Sequence, residues 1–120
     1  MSTILIVDDS ITSRKVLKNI LESDGHTIVG EAVNGEEGVN MYAEHKPDVV
    51  TLDITMPVMD GIEALQKIME LNPDAKVVMV TAVGQKSKMV EAIKYGAADF
   101  VAKPFEPGHI TEVIRHVATT

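Results

Sequence analysis

Short apolar runs alternate along this chain with longer segments in which apolar residues recur at helical spacing. Four of the runs are nearly continuous and rich in β-branched residues, a pattern typical of parallel strands that are covered on both faces. These runs are residues 4–7, 49–52, 77–80 and 100–102. A fifth run, residues 27–33, is interrupted by Gly30 and Glu31 and is therefore predicted to be an edge strand.

The segments that follow the runs carry apolar stripes of helical period. The clearest stripe, at i, i+3, i+4 and i+7, is formed by Ile110, Val113, Ile114 and Val117. The other stripes are Val16, Leu17, Ile20 and Leu21; Val39, Tyr42 and Ala43; Ile62, Leu65, Ile68 and Met69; and Met89, Val90 and Ile93. Five βα units in succession predict an α/β fold with a parallel sheet, right-handed crossovers and helices on both faces.

Capping residues support these helix boundaries. Gly25 and Gly96 stand where a glycine commonly ends a helix, because glycine adopts the left-handed backbone conformation without strain. Asn34 followed by Glu37 resembles a capping box at the start of the second helix. The connections between the predicted elements are short, so the pattern leaves no room for a linker.

The composition indicates one acidic globular domain. We expect residues 1–120 to form a single domain, since this length fits one unit and not two. The formal net charge of -7 argues against nucleic-acid binding, which depends on Lys and Arg neutralising phosphates. No apolar run approaches the roughly 20 residues that span a bilayer, the N-terminus lacks a basic stretch, and cysteine is absent. We therefore expect a cytoplasmic protein without membrane insertion.

Polar side chains follow the buried runs at the points where the predicted strands end. Asp8 and Asp9 follow the first run, Asp53 the third in chain order, Thr81 the fourth and Lys103 the fifth. The carboxyl ends of parallel strands share one edge of a sheet, and ligands bind there near the point where the strand order reverses. Residues more than 90 positions apart are therefore expected to line one pocket.

A pocket of three carboxylates, one hydroxyl and one ammonium suits Mg²⁺ and phosphoryl transfer. Like charges raise one another's pKa, and a divalent cation relieves that conflict. Oxygen ligands without nearby His or Cys favour Mg²⁺, and the remaining groups could stabilise the charge on phosphoryl oxygens. One carboxylate would then be the nucleophile. The four histidines show no metal-ligand spacing and are expected at the surface: His26, His45, His109 and His116.

The set of motifs resembles the response-regulator receiver family, and within it the stand-alone chemotaxis regulators. The matching motifs are the acidic pair after the first run, LDITMPVMDG at residues 52–61, Thr81-Ala82 and Lys103-Pro104-Phe105. They cover residues 4 to about 117 in the family's order and spacing. The resemblance implies a flavodoxin-like doubly wound (βα)5 fold, with a five-stranded parallel sheet of order 2-1-3-4-5.

The resemblance also implies a role for each residue of the acidic pocket. Asp53 matches the phosphoacceptor and is a metal ligand as well. Asp9 matches the direct metal ligand, and Asp8 the acid that holds metal-bound water and orients the site. Thr55 matches the residue whose backbone carbonyl completes the ligands of the Mg²⁺ cofactor, and Lys103 matches the lysine that binds the phosphoryl group.

Three further positions match the family's switching apparatus. Thr81 matches the switch hydroxyl, Phe100 the aromatic switch residue, and Pro104 a proline that usually follows a cis peptide bond.

The implied partners are a histidine kinase that donates the phosphoryl group and a target protein that binds the surface of the fourth helix, fifth strand and fifth helix. We expect a monomeric switch, which is not an enzyme except toward its own phosphorylation and dephosphorylation. We expect it to act through a partner, because the fifth predicted helix is followed by no effector domain in this sequence.

Several alternatives remain open at this stage. A single-domain phosphorelay intermediate would use the same site. A phosphatase of the haloacid dehalogenase type also forms an aspartyl-phosphate, but it carries a second acid where Thr55 stands here. A flavin carrier would need a glycine- and hydroxyl-rich loop in place of Asp8-Asp9. The two acids could also cap the first helix, and Phe100 could be an ordinary core aromatic.

Overall fold

The structure, a computed structural model, describes residues 2–120. These residues form one parallel sheet with helices on both faces. The elements are β1 (Thr3–Val7), α1 (Ile11–Ser23), β2 (Thr27–Ala32), α2 (Gly35–His45), β3 (Val49–Asp53), α3 (Gly61–Leu71), β4 (Val77–Thr81), α4 (Lys86–Lys94), β5 (Asp99–Ala102) and α5 (Pro107–Ala118). Within this range the sheet has five strands in the order β2-β1-β3-β4-β5, all parallel. The α/β flavodoxin-like fold is confirmed, and β2 lies at an edge as its sequence predicted.

Three of the four apolar runs form β1, β3 and β4, whose side chains are buried from both sides. The run at residues 100–102 forms the edge strand β5, in which only Val101 is buried, so the expectation of cover on both faces is wrong for this strand. One layer consists of α1 and α5, where Leu17 and Ile114 pack against strand residues such as Ile6. The opposite layer consists of α2, α3 and α4, where Leu65 packs in the cluster that contains Leu52. The strand order reverses between β1 and β3, so the carboxyl ends of these two strands define the crevice in which ligands bind in folds of this kind.

The predicted apolar stripe is correct for α5 and wrong for α4. All four stripe residues of α5 are buried. In α4, every residue of which the structure describes, only Ala92 is buried, while Met89 is partly covered. Val90 and Ile93 are instead 52% and 48% exposed, because the helix turns its Met89–Ala92 side toward the sheet. This leaves an apolar patch on the outer side of α4.

The predicted capping residues lie at helix ends. Gly25 and Gly96 both have positive φ angles, 89° and 105°, and follow the C-caps of α1 and α4. The Asn34 side chain accepts a hydrogen bond from the Glu37 N–H at 2.8 Å and caps α2. The N-cap of α1 is Ser10 rather than Asp8 or Asp9, so helix capping does not explain the acidic pair.

The expectation of a surface position is wrong for one histidine. His26 is only 7% exposed, because Nδ1 accepts a hydrogen bond from the Ser2 N–H at 3.2 Å and Nε2 lies 3.3 Å from the Asp24 carboxylate. His45, His109 and His116 are exposed, as predicted. None of the helices in residues 2–120 is both long enough and apolar enough to cross a membrane.

Candidate functional site

Three carboxylates meet at the carboxyl edge of the sheet. Asp8 and Asp9 directly follow β1, and Asp53 is the last residue of the neighbouring strand β3. One oxygen from each side chain lies within 4.8 Å of the other two. Asp8 and Asp53 are buried whereas Asp9 is exposed, so the cluster opens to solvent on the Asp9 side. The sequence pattern therefore predicted this juxtaposition correctly.

Lys103 supplies the positive charge of the cluster. It follows β5, two strands away from β3, and its Nζ lies 3.0 Å from Asp8 Oδ2 and 3.4 Å from Asp53 Oδ2. The peptide bond between Lys103 and Pro104 is cis. The ammonium thus lies between two carboxylates and can contact a group bound to either of them.

The electrostatic environment shifts the pKa of Asp53 and of Lys103 upward. Burial raises the pKa of Asp53 to about 6, and the Asp8 charge adds to that effect while Lys103 opposes it. Burial by itself would lower the pKa of Lys103, but the carboxylates of Asp8 and Asp53 more than offset it and raise this pKa above its ordinary value. At neutral pH Asp53 is therefore mostly ionised and Lys103 is charged.

The donor set at this edge fits a hard divalent cation. All of the clustered side-chain donors are carboxylate oxygens, which Mg²⁺ prefers over nitrogen and sulfur. Within residues 2–120, Asp8 Oδ2 is a buried oxygen without a hydrogen bond of good geometry, although the positively charged Nζ of Lys103 lies 3.0 Å away. Asp8 Oδ1 accepts from the Ser10 N–H at 2.8 Å, which fixes the carboxylate. One lysine leaves a net negative charge that Mg²⁺ could neutralise.

Thr81 ends β4, the strand next to β3, whereas Phe100 lies on the edge strand β5, and neither residue is part of the carboxylate cluster. The Thr81 hydroxyl is buried and donates a long 3.4 Å hydrogen bond to the Val101 carbonyl oxygen. The strand register pairs Met79 with Phe100 and Thr81 with Ala102, so Thr81 and Phe100 lie on the same face of the sheet. Phe100 is 38% exposed and is therefore not an ordinary core aromatic.

Thr55 lies on the exposed loop after β3, two residues beyond Asp53. Its hydroxyl accepts a hydrogen bond of 2.6 Å from Gln85 Nε2, and Gln85 Oε1 in turn accepts from the Ala82 N–H at 2.7 Å. The Gln85 side chain therefore joins the loop after β3 to the loop after β4. Sequence reasoning assigned Gln85 no role.

Two other residues that shape the site also received no role. Arg14 is buried on α1, and its Nη1 donates to the Asp8 carbonyl oxygen at 2.7 Å while Nε contacts Glu31 at 3.3 Å. The sequence did offer one signal for Arg14, since this basic residue stands three positions before Leu17 and so lies on the same face of the helix. Gly61 begins α3 so close to β3 that an added Cβ would lie 2.0 Å from the Asp53 carbonyl oxygen.

Comparisons with known proteins agree with this architecture. The response regulator receiver domain family matches residues 4–115. The chemotaxis protein CheY of Thermotoga maritima is 48% identical over 115 residues, covering 96% of each chain. CheY of Listeria monocytogenes is 50% identical over 118 residues, covering 98% of this chain and 99% of that protein. The CheX-CheY-BeF3-Mg complex of Borrelia burgdorferi contains a similar structure, with TM-score 0.92, 40% identity and coverage of 96% and 87%.

Proposed function

Because this chain belongs to the response regulator receiver domain family, we propose that it accepts a phosphoryl group on Asp53 from the phosphohistidine of a histidine kinase. Receiver domains of two-component systems are signalling switches, and several relatives of this one are CheY chemotaxis proteins. The observation that carries the proposal is the placement of Asp53 within 4.8 Å of two further carboxylate oxygens, with Lys103 Nζ 3.4 Å away. A single receiver domain of residues 1–120, monomeric and cytoplasmic as expected from the sequence, is part of this proposal.

The chain's own residues perform the transfer as follows. An ionised Asp53 oxygen attacks the phosphorus, the new O–P bond forms, and the P–N bond to the donor imidazole breaks. The donor imidazole, protonated on its other ring nitrogen, keeps the electron pair of that bond and therefore leaves as the neutral ring. Lys103 meets the negative charge that spreads over the phosphoryl oxygens, and the Thr81 hydroxyl meets a second oxygen once it leaves the Val101 carbonyl.

Asp8, Asp9 and Asp53, together with the backbone carbonyl of Thr55, would hold the metal ion. When bound, Mg²⁺ supplies positive charge that offsets both the clustered carboxylates and the phosphoryl oxygens. Asp9 is the exposed member of the cluster and so the one that solvent and an entering cation reach first. Arg14 keeps Asp8 in place through the carbonyl hydrogen bond.

The surface of α4, β5 and α5 is the proposed docking site for a target protein, most directly one of the chemotaxis machinery. Two features support it: the apolar patch left on the outer side of α4 and the half-exposed Phe100 on β5. The exposed residues of this surface include Lys86, Lys88, Val90, Glu91, Ile93, Lys94, Tyr95 and Phe100. Movement of Thr81 toward a phosphoryl group would open space that Phe100, on the same face of the sheet, can enter.

The proposed function predicts phosphorylation that depends on Mg²⁺. Incubation with a phosphorylated histidine kinase and Mg²⁺ should transfer one phosphoryl group to the chain, and EDTA should prevent the transfer because the carboxylates then repel the donor. Intact-mass spectrometry measures the modification. Transfer at the same rate in EDTA and in Mg²⁺ would refute the metal-dependent site.

The proposed docking surface predicts a specific pattern of chemical-shift changes. Beryllofluoride mimics a phosphoryl group, and its binding with Mg²⁺ should perturb amide signals of α4 and β5 as well as those of the site. Phosphorylation should then raise partner affinity by about 5- to 150-fold, the usual range of such couplings. Amide signals of α2, which lies on the far side of α3, serve as the internal control. Perturbations confined to the loops around Asp8, Asp53 and Lys103 would contradict this output surface.

A further inference from the structure

Gln85 forms a bridge between two loops at the edge of the site. It precedes α4, and its side-chain amide is engaged at both ends: Oε1 accepts from the Ala82 N–H at 2.7 Å and Nε2 donates to Thr55 Oγ1 at 2.6 Å. Thr55 belongs to the loop that follows Asp53, and Ala82 to the loop that follows Thr81. One side chain therefore ties the loop of the phosphoacceptor to the loop of the switch hydroxyl.

The Thr81 hydroxyl is engaged with β5 and not with the phosphoryl site. Thr81 Oγ1 donates to the Val101 carbonyl oxygen on β5, at 3.4 Å. To reach a phosphoryl oxygen on Asp53, Thr81 must leave that carbonyl and move, and Ala82 is covalently attached to it. A shift of Ala82 by about an ångström away from Gln85 would break its 2.7 Å hydrogen bond to Gln85, since N–H···O hydrogen bonds span about 2.7–3.2 Å.

The bridge also contributes to the position of α4. This helix buries Ala92 and partly covers Met89, so its apolar contacts with the sheet and α3 are few. The two short hydrogen bonds of Gln85, at the N-terminal end of α4, add to these few contacts. Elements with few buried contacts are those that shift at low free-energy cost, and α4 carries the proposed docking surface.

We propose that Gln85 is a positioning residue that acts as a latch, the Gln85 latch being its paired hydrogen bonds to Ala82 and Thr55. The Gln85 latch stabilises the unphosphorylated arrangement of the loop after β4 and is released when a phosphoryl group draws Thr81 toward Asp53. It thereby sets how readily phosphorylation switches the docking surface. This inference rests on the proposed function of Asp53.

The test measures beryllofluoride affinity at saturating Mg²⁺ by titration of the amide signals. Removing the latch should favour the activated arrangement, so Gln85→Ala should bind beryllofluoride about fivefold more tightly than the wild type. Without beryllofluoride, the amide signals of Thr81 and Phe100 in this variant should lie displaced along the line that joins their free and bound wild-type positions. A purely structural role would lower stability without moving either readout.

Two further variants complete the design. Thr55→Val removes the hydroxyl but keeps the backbone carbonyl, and it should tighten beryllofluoride binding in the same direction; the double variant should add little to Gln85→Ala, since both break one bridge. Ser87→Ala, an exposed neighbour on α4, is the matched control and should leave the affinity unchanged. Wild-type or weaker affinity in Gln85→Ala overturns the latch. Failure of the wild type itself to bind beryllofluoride would instead overturn the proposed function of Asp53, and the latch with it.

Discussion

Replacing Asp53 with asparagine is expected to abolish phosphoryl acceptance and, in the absence of metal, to stabilise the fold by about 1–2 kcal/mol at neutral pH. The pKa of Asp53 is raised from 3.8 to about 6 by burial and by the Asp8 charge, so its ionisation opposes folding. Asparagine removes that charge while keeping the shape of the side chain. The gain in stability is smaller than the full pKa shift of Asp53 would give, because solvent reaches part of the cluster on the Asp9 side.

The pH dependence of this effect has a definite sign. Between pH 3.8 and about 6 the folded wild type binds more protons at Asp53 than the unfolded chain, so the contribution of this group to stability falls as the pH rises through that window. The stability advantage of Asp53→Asn should therefore be absent below the window, grow across it and stay constant above it. Urea unfolding in EDTA, compared at each pH with the wild type, measures the difference.

Mg²⁺ should stabilise the wild type more than it stabilises Asp53→Asn. At ten times its dissociation constant, a cation that binds the native form alone stabilises the wild type by about 1.4 kcal/mol, and it should stabilise Asp53→Asn less because one ligand charge is gone. Asp74→Asn is a matched control, since Asp74 is an exposed acid on the turn before β4, at the opposite end of the sheet. Identical unfolding curves with and without Mg²⁺ in the wild type would contradict the three-carboxylate site.

Replacing Lys103 with alanine is expected to slow phosphorylation of Asp53 by about 10²-fold, the cost of removing one preorganised charge from a phosphoryl-transfer site. Lys103 Nζ contacts both Asp8 and Asp53, so its loss leaves negative charge facing the incoming phosphoryl oxygens. Mg²⁺ binding should persist, because the lysine is not a ligand and its removal makes the cluster more negative.

Rates measured with a small phosphodonor and Mg²⁺ over a range of donor concentrations separate slower transfer from weaker donor binding. Lys67→Ala, on the exposed side of α3, controls for the general loss of one positive charge. A wild-type rate in Lys103→Ala would remove this residue from the mechanism.

Strands β1, β3 and β4 and helix α5 could be predicted because their side chains are buried at regular spacing along the chain. A strand covered on both faces has to be apolar throughout, as β1, β3 and β4 are, and a helix packed along its full length shows one complete stripe, as α5 does. The stripe in α4 misled the prediction because its apolar residues serve two surfaces. Ala92 and Met89 face the interior, whereas Val90 and Ile93 face outward.

The acidic cluster was predictable from the fold's topology, since residues that end neighbouring parallel strands must meet at one edge. The supporting residues were not, because their contacts join segments far apart in sequence without a periodic signal. Gln85 reaches Thr55 across 30 positions, and His26 is buried through the Ser2 N–H 24 positions away. Such contacts depend on where loops cross after folding, which neither strand nor helix periodicity records.

Mapping the modified residue tests the central claim most directly. The wild type is phosphorylated with acetyl phosphate and Mg²⁺, the acyl phosphate is reduced with borohydride, and peptide mass spectrometry locates the reduced aspartate. We predict the modification at Asp53 alone, with Asp8 and Asp9 unmodified in the same sample. A reduced Asp8 or Asp9, with Asp53 unmodified, would contradict the account.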